Sequence, residues 1–525
     1  MASQPFSYSA WPPSFTPAQL ELLTLLATTY ALSHSLLYLP PGASQPPAPT
    51  SAIHAPLSLV PYPLSRRLFD RARTLQRAYN TLYARVAMDN AFLDRVMGAE
   101  EGVGRVDDFT GKPWRGWKAI RDEGWEEPMQ LGLFRSDYLL HADGPSLKQV
   151  EFNTISSSFG CLSERVADLH RYLHRATGYF GASQHLAADG FPANDTISGL
   201  AQGLAAAHTA YGASSAYILF VAQPNERNVF DQRLLEYALL ETHGIRSVRQ
   251  TFAELATSAS SIPSSSSSSR ILPTLKITPA TPSPEDAPLE ISVVYYRAAY
   301  TPTDYPSASG AEWATRFLLE RTRAIKCPSI ALQLAGGKKV QEALTLPGAL
   351  EGFLHDFSAE ERSAVRGSFM GMWGLDAPAA EGGGAGDGVA RARGRAEKLV
   401  LKPQREGGGN NVYKEDIPPF LDALPTDERA AWIAMELIEP PATSGYLVRA
   451  GSGGDGGAPV RTEVVSELGI FGWALFGGSD EKGGVKKEVE EREVGWLVRT
   501  KGKESNEGGV AAGFSVLDSL VLIED

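Results

Sequence analysis

The chain has 525 residues, 43% apolar and 21% charged, enough apolar material for a soluble globular protein of two or three packed lobes. Its 49 Lys and Arg against 61 Asp and Glu leave a net charge of −12, which argues against a protein that coats phosphate backbones; any phosphate must meet a few placed cations. Two cysteines, Cys161 and Cys327, are too few for a disulfide framework or a thiolate metal cluster and point to a reducing, intracellular compartment.

From the N-terminus, the leucine-rich run 20–39 is interrupted by Glu21, Thr24, Thr28, Thr29, Ser33, His34 and Ser35, which predicts an amphipathic helix and not a membrane span. No Lys or Arg precedes Arg66, and the closing Leu-Ile-Glu-Asp carries no address or prenylation signal, so the expected location is cytoplasmic, with no membrane partner. Four low-complexity patches, at 40–56, 257–269, 377–394 and 451–457, read as surface loops lengthened without touching the core.

In Leu147-Lys-Gln-Val-Glu-Phe-Asn153, alternation puts Gln149, Glu151 and Asn153 on one strand face and Val150 and Phe152 on the core side. A carboxylate beside an amide oxygen suits Mg²⁺, which takes few protein oxygens. Taken alone, the stretch fits an ordinary solvated face better. The hydroxyl-rich turn 154–160 offers Ser156 and Ser158 to a polar ligand, or serves as a helix cap. His170 and His174, four apart on the helix that follows, lack any HExxH pattern and predict a surface helix.

Residues 217–221 predict a buried strand, 231–243 a helix ending at Gly244, and Ile245 onward another strand. A strand at 291–296 and a helix at 311–324 complete an α/β lobe with a largely parallel sheet. Short strands at 399–402, 434–437, 462–476 and 495–499, separated by glycine loops, give the last third an α+β texture.

The strongest local signal is Leu399-Val-Leu-Lys-Pro-Gln-Arg-Glu-Gly-Gly-Gly-Asn-Asn-Val-Tyr413. A short strand delivers Lys402 and Glu406 into three glycines whose amides can wrap an anion, with Lys402 to neutralise phosphate and Glu406 to hold a metal. No Walker pattern occurs, and the match of Gly451, Gly453 and Gly456 to G-x-G-x-x-G opens no helix. A second loop, Glu507-Gly-Gly-Val-Ala-Ala-Gly513, follows Arg499 and Lys501, which suit a carboxylate and a phosphate; a flexible tail loop is an equal reading of that segment. Glu467 could meet a ribose hydroxyl or face water. No histidine lies beyond His355, and neither G-x-S-x-G nor a Cys/His nucleophile signature occurs, so the chemistry is expected to be electrostatic positioning of phosphates.

Leu133-Phe-Arg-Ser-Asp-Tyr138, Gln149-Val-Glu-Phe-Asn-Thr-Ile-Ser-Ser-Ser-Phe-Gly160, Glu226-Arg-Asn-Val-Phe-Asp-Gln232, Lys326-Cys-Pro-Ser-Ile-Ala-Leu-Gln-Leu-Ala-Gly336, the Lys402 glycine loop, Ser466-Glu-Leu-Gly-Ile-Phe-Gly472 and Leu497-Val-Arg-Thr-Lys501 with its glycine loop together resemble eukaryotic-type glutathione synthetase, in family order from about residue 15 to the C-terminus. The resemblance implies an α/β ATP-grasp fold (with α+β elements), an inserted parallel-sheet substrate-binding domain and a glycine-rich lid. It also implies a homodimer without nucleic-acid partners, joining γ-glutamylcysteine to glycine at the expense of ATP. Residues 1–214 would form the N-terminal part of the ligase body, 215–330 the substrate-binding domain and 331–525 the ATP-grasp and lid region.

Carried over residue by residue, Glu151, Asn153 and Glu406 would hold Mg²⁺. Glu151, Lys338, Lys402, Glu406, Gly407, Gly408, Gly409, Asn410, Asn411 and Tyr413 would meet ATP, with Met435, Glu436, Leu437, Ile438, Glu467, Lys501 and Glu507. Arg135, Ile155, Ser156, Ser157, Ser158, Glu226, Arg227, Asn228 and Gln232 would meet the peptide or glycine, with Arg297, Ala298, Ala299, Tyr300, Arg499, Val510 and Ala511. Arg135, Lys338, Lys402 and Arg499 are the catalytic candidates. The family commonly has Asp where Glu507 stands, and Ala298-Ala299 replaces a more polar spacer. A related ligase for β-alanine or serine, or a silent nucleotide-binding relative, are the alternatives; Val510-Ala511 is the glycine-type pair, and the chain keeps the charged residues a silent relative would have lost.

Overall fold

The strand Met129–His141 sets the architecture because its side chains alternate in kind: Leu131, Leu133, Arg135 and Asp137 take one face, Phe134, Tyr138 and Leu140 the other. The structure, a computed structural model, describes residues 6–40, 52–126, 128–142, 146–263, 271–278, 288–378, 387–406, 408–450, 459–478, 489–505, 510, 513 and 515–524. Among them, thirteen strands form one sheet around that strand. On one side it pairs in parallel with Ile325–Cys327, which leads to Leu289–Tyr296, Tyr217–Val221 and Ser247–Gln250, all parallel neighbours. This is the parallel lobe expected from alternating strands and helices. Thr274–Ile277 and Ala259–Ile262 extend it antiparallel.

On the other side the pairing is antiparallel to Val460–Gly477, then Glu490–Gly502 and Ser515–Asp518. Leu57–Ser58 and Thr443–Val448 follow, and the latter pairs back onto Val460–Gly477, closing a ring of five strands. A separate antiparallel sheet runs Met372–Gly374, Trp432–Glu436, Leu399–Pro403, Val412–Tyr413. The large sheet is buried on both faces, one carrying the stacked rings of Tyr83 and Phe152, 3.9 Å apart, the other Phe471, Trp473 and Leu497. No described helix is long and apolar enough to cross a membrane.

Several local expectations change. The N-terminal helix is Pro17–Ser33, with Thr16 and Gln19 in a capping box; it stops before Leu37–Tyr38, which forms a strand with Ile53–His54 out of the Pro-rich patch. The serine-rich patch at 257–269 opens on the last two residues of the helix Phe252–Ser258 and continues as the edge strand Ala259–Ile262, and the Gly/Ala-rich patch at 377–394 ends as the helix Gly388–Gly394; residues 264–270, 379–386 and 451–458 lie outside the described residues. The helix expected at 311–324 is Ala311–Glu320. In Ser146–Asn153 the register shifts: Asp137 faces Glu151 and Tyr138 faces Gln149, so Val150 bulges, and Gln149, not Val150, is buried with Phe152. His170 is fully buried on the helix Gly160–Thr177, bonded to Ser519 and Ser58, where a surface helix was expected.

Candidate active site

Four strands of the large sheet put their charges on one face. Arg135 and Asp137 come from Met129–His141, Glu467 from Val460–Gly477, Arg499 from Glu490–Gly502, and Glu151 and Asn153 from the bulged strand beside them. The facing antiparallel sheet contributes Lys402 at the end of Leu399–Pro403, and the helix Lys338–Thr345 contributes Lys338 in its first turn.

On the glycine-loop side, the Lys338 ammonium lies 3.2 Å from Glu151 and 2.7 Å from Glu406. Burial works against the charge on Lys338, but these two carboxylates overcome it and raise its pKa. Burial also disfavours ionised Glu151, yet Lys338 and Lys402, with Arg499 and Arg135 behind them, bring it down to about 2. For Glu406 burial wins, and its pKa rises despite Lys338. Lys402 donates to the Val150 carbonyl at 2.9 Å, the oxygen the bulge turns out of the ladder, and burial lowers its pKa. Gln404 ties the loop base to both neighbours, accepting from the Lys339 amide at 3.0 Å and donating to the Ala431 carbonyl at 3.2 Å.

Gly408 and Gly409 have φ of 75° and 78°, a conformation that favours glycine and lets backbone approach a ligand closely. Asn410 donates back to the Gly408 carbonyl and Asn411 to the Tyr413 hydroxyl. Beside them Met435, Leu437, Ile438 and Tyr413 form an apolar wall with Met372, Val400 and Ile433. The Glu436 carboxylate is turned to Arg395 at 2.6 Å. Gly407, Glu507 and Ala511 lie outside the described residues; Val510 is buried in the main core. Lys501 sits two residues beyond Arg499 on the same strand face.

The opposite side is built around the turn after Asn153. Ser156 and Phe159 hold φ of 54° and 69°, and Ala299, in the facing loop, 81°; such backbone strain clusters at functional sites. Arg297 is buried, donating to the Ser157 carbonyl and, at 2.7 Å, to the Ser158 hydroxyl. Glu226 accepts from the Asn228 amide and the Gln232 side chain. Three buried polar atoms here, Arg297 Nε, Asn228 Oδ1 and Gln232 Oε1, have no protein hydrogen-bond partner, one donor and two acceptors. Tyr300 reaches Gln223, and Ala298 and Ile155 pack into the neighbouring apolar cluster. Arg227 points elsewhere, to the Leu39 carbonyl and the Tyr38 ring.

Two carboxylates escaped the sequence reading. Asp137 accepts both Nε and Nη2 of Arg135, at 2.6 and 2.8 Å, and also Arg499 and Asn153, each at 2.9 Å. Asp231 caps the helix Gly160–Thr177 by accepting the amides of Phe159, Cys161 and Leu162. The Arg-x-Asp alternation could have flagged the first; nothing local flagged the second.

Against known proteins, the family described as "Eukaryotic glutathione synthase, ATP binding domain" matches residues 17–522. The chain belongs to that family. It is similar to the Homo sapiens glutathione synthetase, 38% identical over 95% of this chain and 96% of that one. It is also similar to the Schizosaccharomyces pombe glutathione synthetase large chain, 35% identical over 97% and 99%, and to the chloroplastic glutathione synthetase of Solanum lycopersicum, 36% identical over 90% and 78%. A solved glutathione synthetase-like effector from Globodera pallida shares the fold, with a TM-score of 0.70 and 22% identity over 97% of this chain and 98% of that one. As a family member the chain is an ATP-dependent ligase of the glutathione synthetase type with the ATP-grasp fold.

Proposed function

We propose that this chain joins γ-glutamylcysteine to glycine through an acyl phosphate, with the residues above in the roles their placement suits. The observation that carries this reading is the pairing of two half-sites on either side of the charged sheet face. One gathers Lys338, Lys402 and a glycine loop for a triphosphate; the other gathers Arg297, Asn228 and Gln232 with unpartnered polar atoms for an amino-acid head group. An ammonium suits the two acceptors, and a carboxylate suits the guanidinium.

Mg²⁺ fits the oxygen set between these halves. Glu151 and Glu406 already converge on one cation, the Lys338 ammonium, and Asn153, whose Nδ2 is bonded to the Arg135 carbonyl and Asp137, keeps its side-chain oxygen as an acceptor. The three would hold the ion, which supplies charge neutralisation for the phosphates. A carboxylate is a poor electrophile. The cysteinyl carboxylate oxygen therefore attacks the γ-phosphorus, the bond to the ADP oxygen breaks, and the glycine amine then displaces phosphate from the acyl carbon, losing its proton. Lys338 and Lys402 balance charge on the transferred group, and Arg135 and Arg499 hold the reacting carboxylates in line. The apolar wall of Met435 and Ile438 receives the base, and the two glycine loops keep water from the intermediate.

The protein is also proposed to be a cytoplasmic homodimer. Leu22, Leu25 and Leu32 lie exposed along the helix Pro17–Ser33, as do Tyr237 and Leu240 along Val229–His243, apolar stripes suited to a second copy; Cys161 and Cys327 are buried thiols with no disulfide, as a reducing compartment allows. Phosphate release by the purified chain with ATP, Mg²⁺, γ-glutamylcysteine and glycine, each omitted in turn, tests the activity. Release is expected only with all four, and release indifferent to either amino-acid substrate would refute the ligase. Sedimentation at micromolar concentration tests the dimer; a monomer would refute it.

A further inference from the structure

Asp137 stands at the centre of the site with both oxygens turned to protein donors. Oδ1 takes Arg135 Nε, and Oδ2 takes Arg135 Nη2, Arg499 Nη2 and Asn153 Nδ2. It is fully buried, and Arg135 nearly so. The register places Gly469 directly opposite Asp137 on the neighbouring strand. A Cβ at Gly469 would stand 2.7 Å from Arg135 Cδ and 2.9 Å from Asp137 Oδ1, so the pair can lie flat across that strand only because the position carries no side chain. The Arg135 guanidinium is thereby set over the Phe471 ring at 5.9 Å, with Nη1 on the Ser158 carbonyl at 3.2 Å.

We propose that Asp137, seated over Gly469, is a positioning residue that fixes Arg135 and Arg499 as one two-guanidinium unit for the carboxylate substrates. One carboxylate between two guanidiniums holds the pair together against its own repulsion, with Arg135 and Arg499 side by side where a substrate carboxylate can meet both. Asn153 on the same oxygen couples the unit to the strand that carries Glu151. Glu467, bonded to Arg499 from the other side, stops that side chain swinging away.

The inference rests on the ligase reading and is tested so that the two can fail separately. Asp137→Asn keeps the shape but turns an amide N–H₂ toward a guanidinium; Gly469→Ala keeps every charge and pushes on the Arg135 stem. In the full chain, Asp137→Asn is expected to lower kcat by about 100-fold and raise KM for γ-glutamylcysteine at least 10-fold, with KM for ATP within threefold of the parent, because Lys338 and Lys402 are held by Glu151, Glu406 and the Val150 carbonyl and not by Asp137. Gly469→Ala should show the same split at about one tenth the size. KM values for ATP and both amino-acid substrates rising together in both variants, or Asp137→Asn turning over within threefold of the parent, would overturn the role. Should Asp137→Asn fail to fold, Gly469→Ala decides by the same criteria. A crystal structure of the Gly469→Ala chain reads the cradle without turnover: the Arg135 guanidinium is expected to leave Asp137, and an unmoved pair would refute the proposal. A parent that does not turn over, with that displacement seen, would refute the ligase reading alone.

Discussion

His170 and Asp518 touch the same two serines and hold opposite proton balances. His170 Nε2 must donate to the Ser58 carbonyl, 2.8 Å away, so Nδ1 accepts from the Ser519 hydroxyl at 2.6 Å. Asp518 accepts from the Thr500 hydroxyl and the Ser519 amide, both at 2.7 Å. Burial lowers His170 to about 4 and raises Asp518 to about 7. Below its ordinary pKa of about 6.5 the unfolded histidine takes a proton that the folded one refuses, so the stability His170 contributes is complete above about pH 6.5 and is lost as pH falls toward 4. Folded Asp518 keeps a proton that the unfolded chain releases above about pH 4, so its contribution is complete in acid and is lost as pH rises toward 7. Between about pH 4 and 6.5 these are opposing slopes of about 1.4 kcal/mol per pH unit, and they cancel.

Each single substitution should unmask the other slope. His170→Gln, which retains a donor for Ser58, is expected to gain stability relative to the parent as pH falls, and Asp518→Asn to lose it. From pH 6.5 to 4.5 the two variants should diverge by about 5 kcal/mol. Urea denaturation at pH 4.5, 5.5 and 6.5, followed by tryptophan fluorescence, reads this directly. If both variants keep the parent's pH dependence, the two groups are not held neutral inside the fold and the reasoning fails.

Lys402→Ala and Glu406→Ala should each lower turnover by about 10²- to 10³-fold with an unchanged circular dichroism spectrum, and near-normal turnover in either would count against the assigned roles. Lys338→Met leaves Glu151 and Glu406 facing each other, a loss of about 3 kcal/mol; by size scaling the ligand-free chain should melt about 3 °C lower, and an equal melting temperature would refute the double ion pair. Deleting residues 263–269, almost all outside the described part, should leave turnover within twofold, and a large loss would show that the insert is functional.

What the sequence made legible was what one strand or loop contains. Glu151 and Asn153 share a strand, and Lys402, Glu406 and the glycines share a loop, so their chemistry could be read by spacing alone. The Asp137 cluster could not, because Arg499 reaches it from a strand more than 350 residues downstream through the register of three strands. The bulge at Val150 has no local signature, yet it frees the carbonyl that Lys402 binds. Burial of His170 depended on what packs over its helix, which a four-residue spacing does not encode.

The four central cations differ in what a substrate anion must displace. Lys338 is paired with Glu151 and Glu406, Arg135 with Asp137, and Arg499 with Asp137 and Glu467. A buried cation left unpaired would cost several kcal/mol, so these pairs hold the site together before any ligand arrives. An incoming phosphate or carboxylate competes with a protein carboxylate at each of them, and its net gain is the difference between two ion pairs. Lys402 is hydrogen-bonded instead to the neutral Val150 carbonyl, and burial already disfavours its charge. A phosphate reaching Lys402 stabilises the charged form without displacing a carboxylate from it. The largest electrostatic gain per contact therefore falls to Lys402, whose presentation depends on one extra residue in the neighbouring strand.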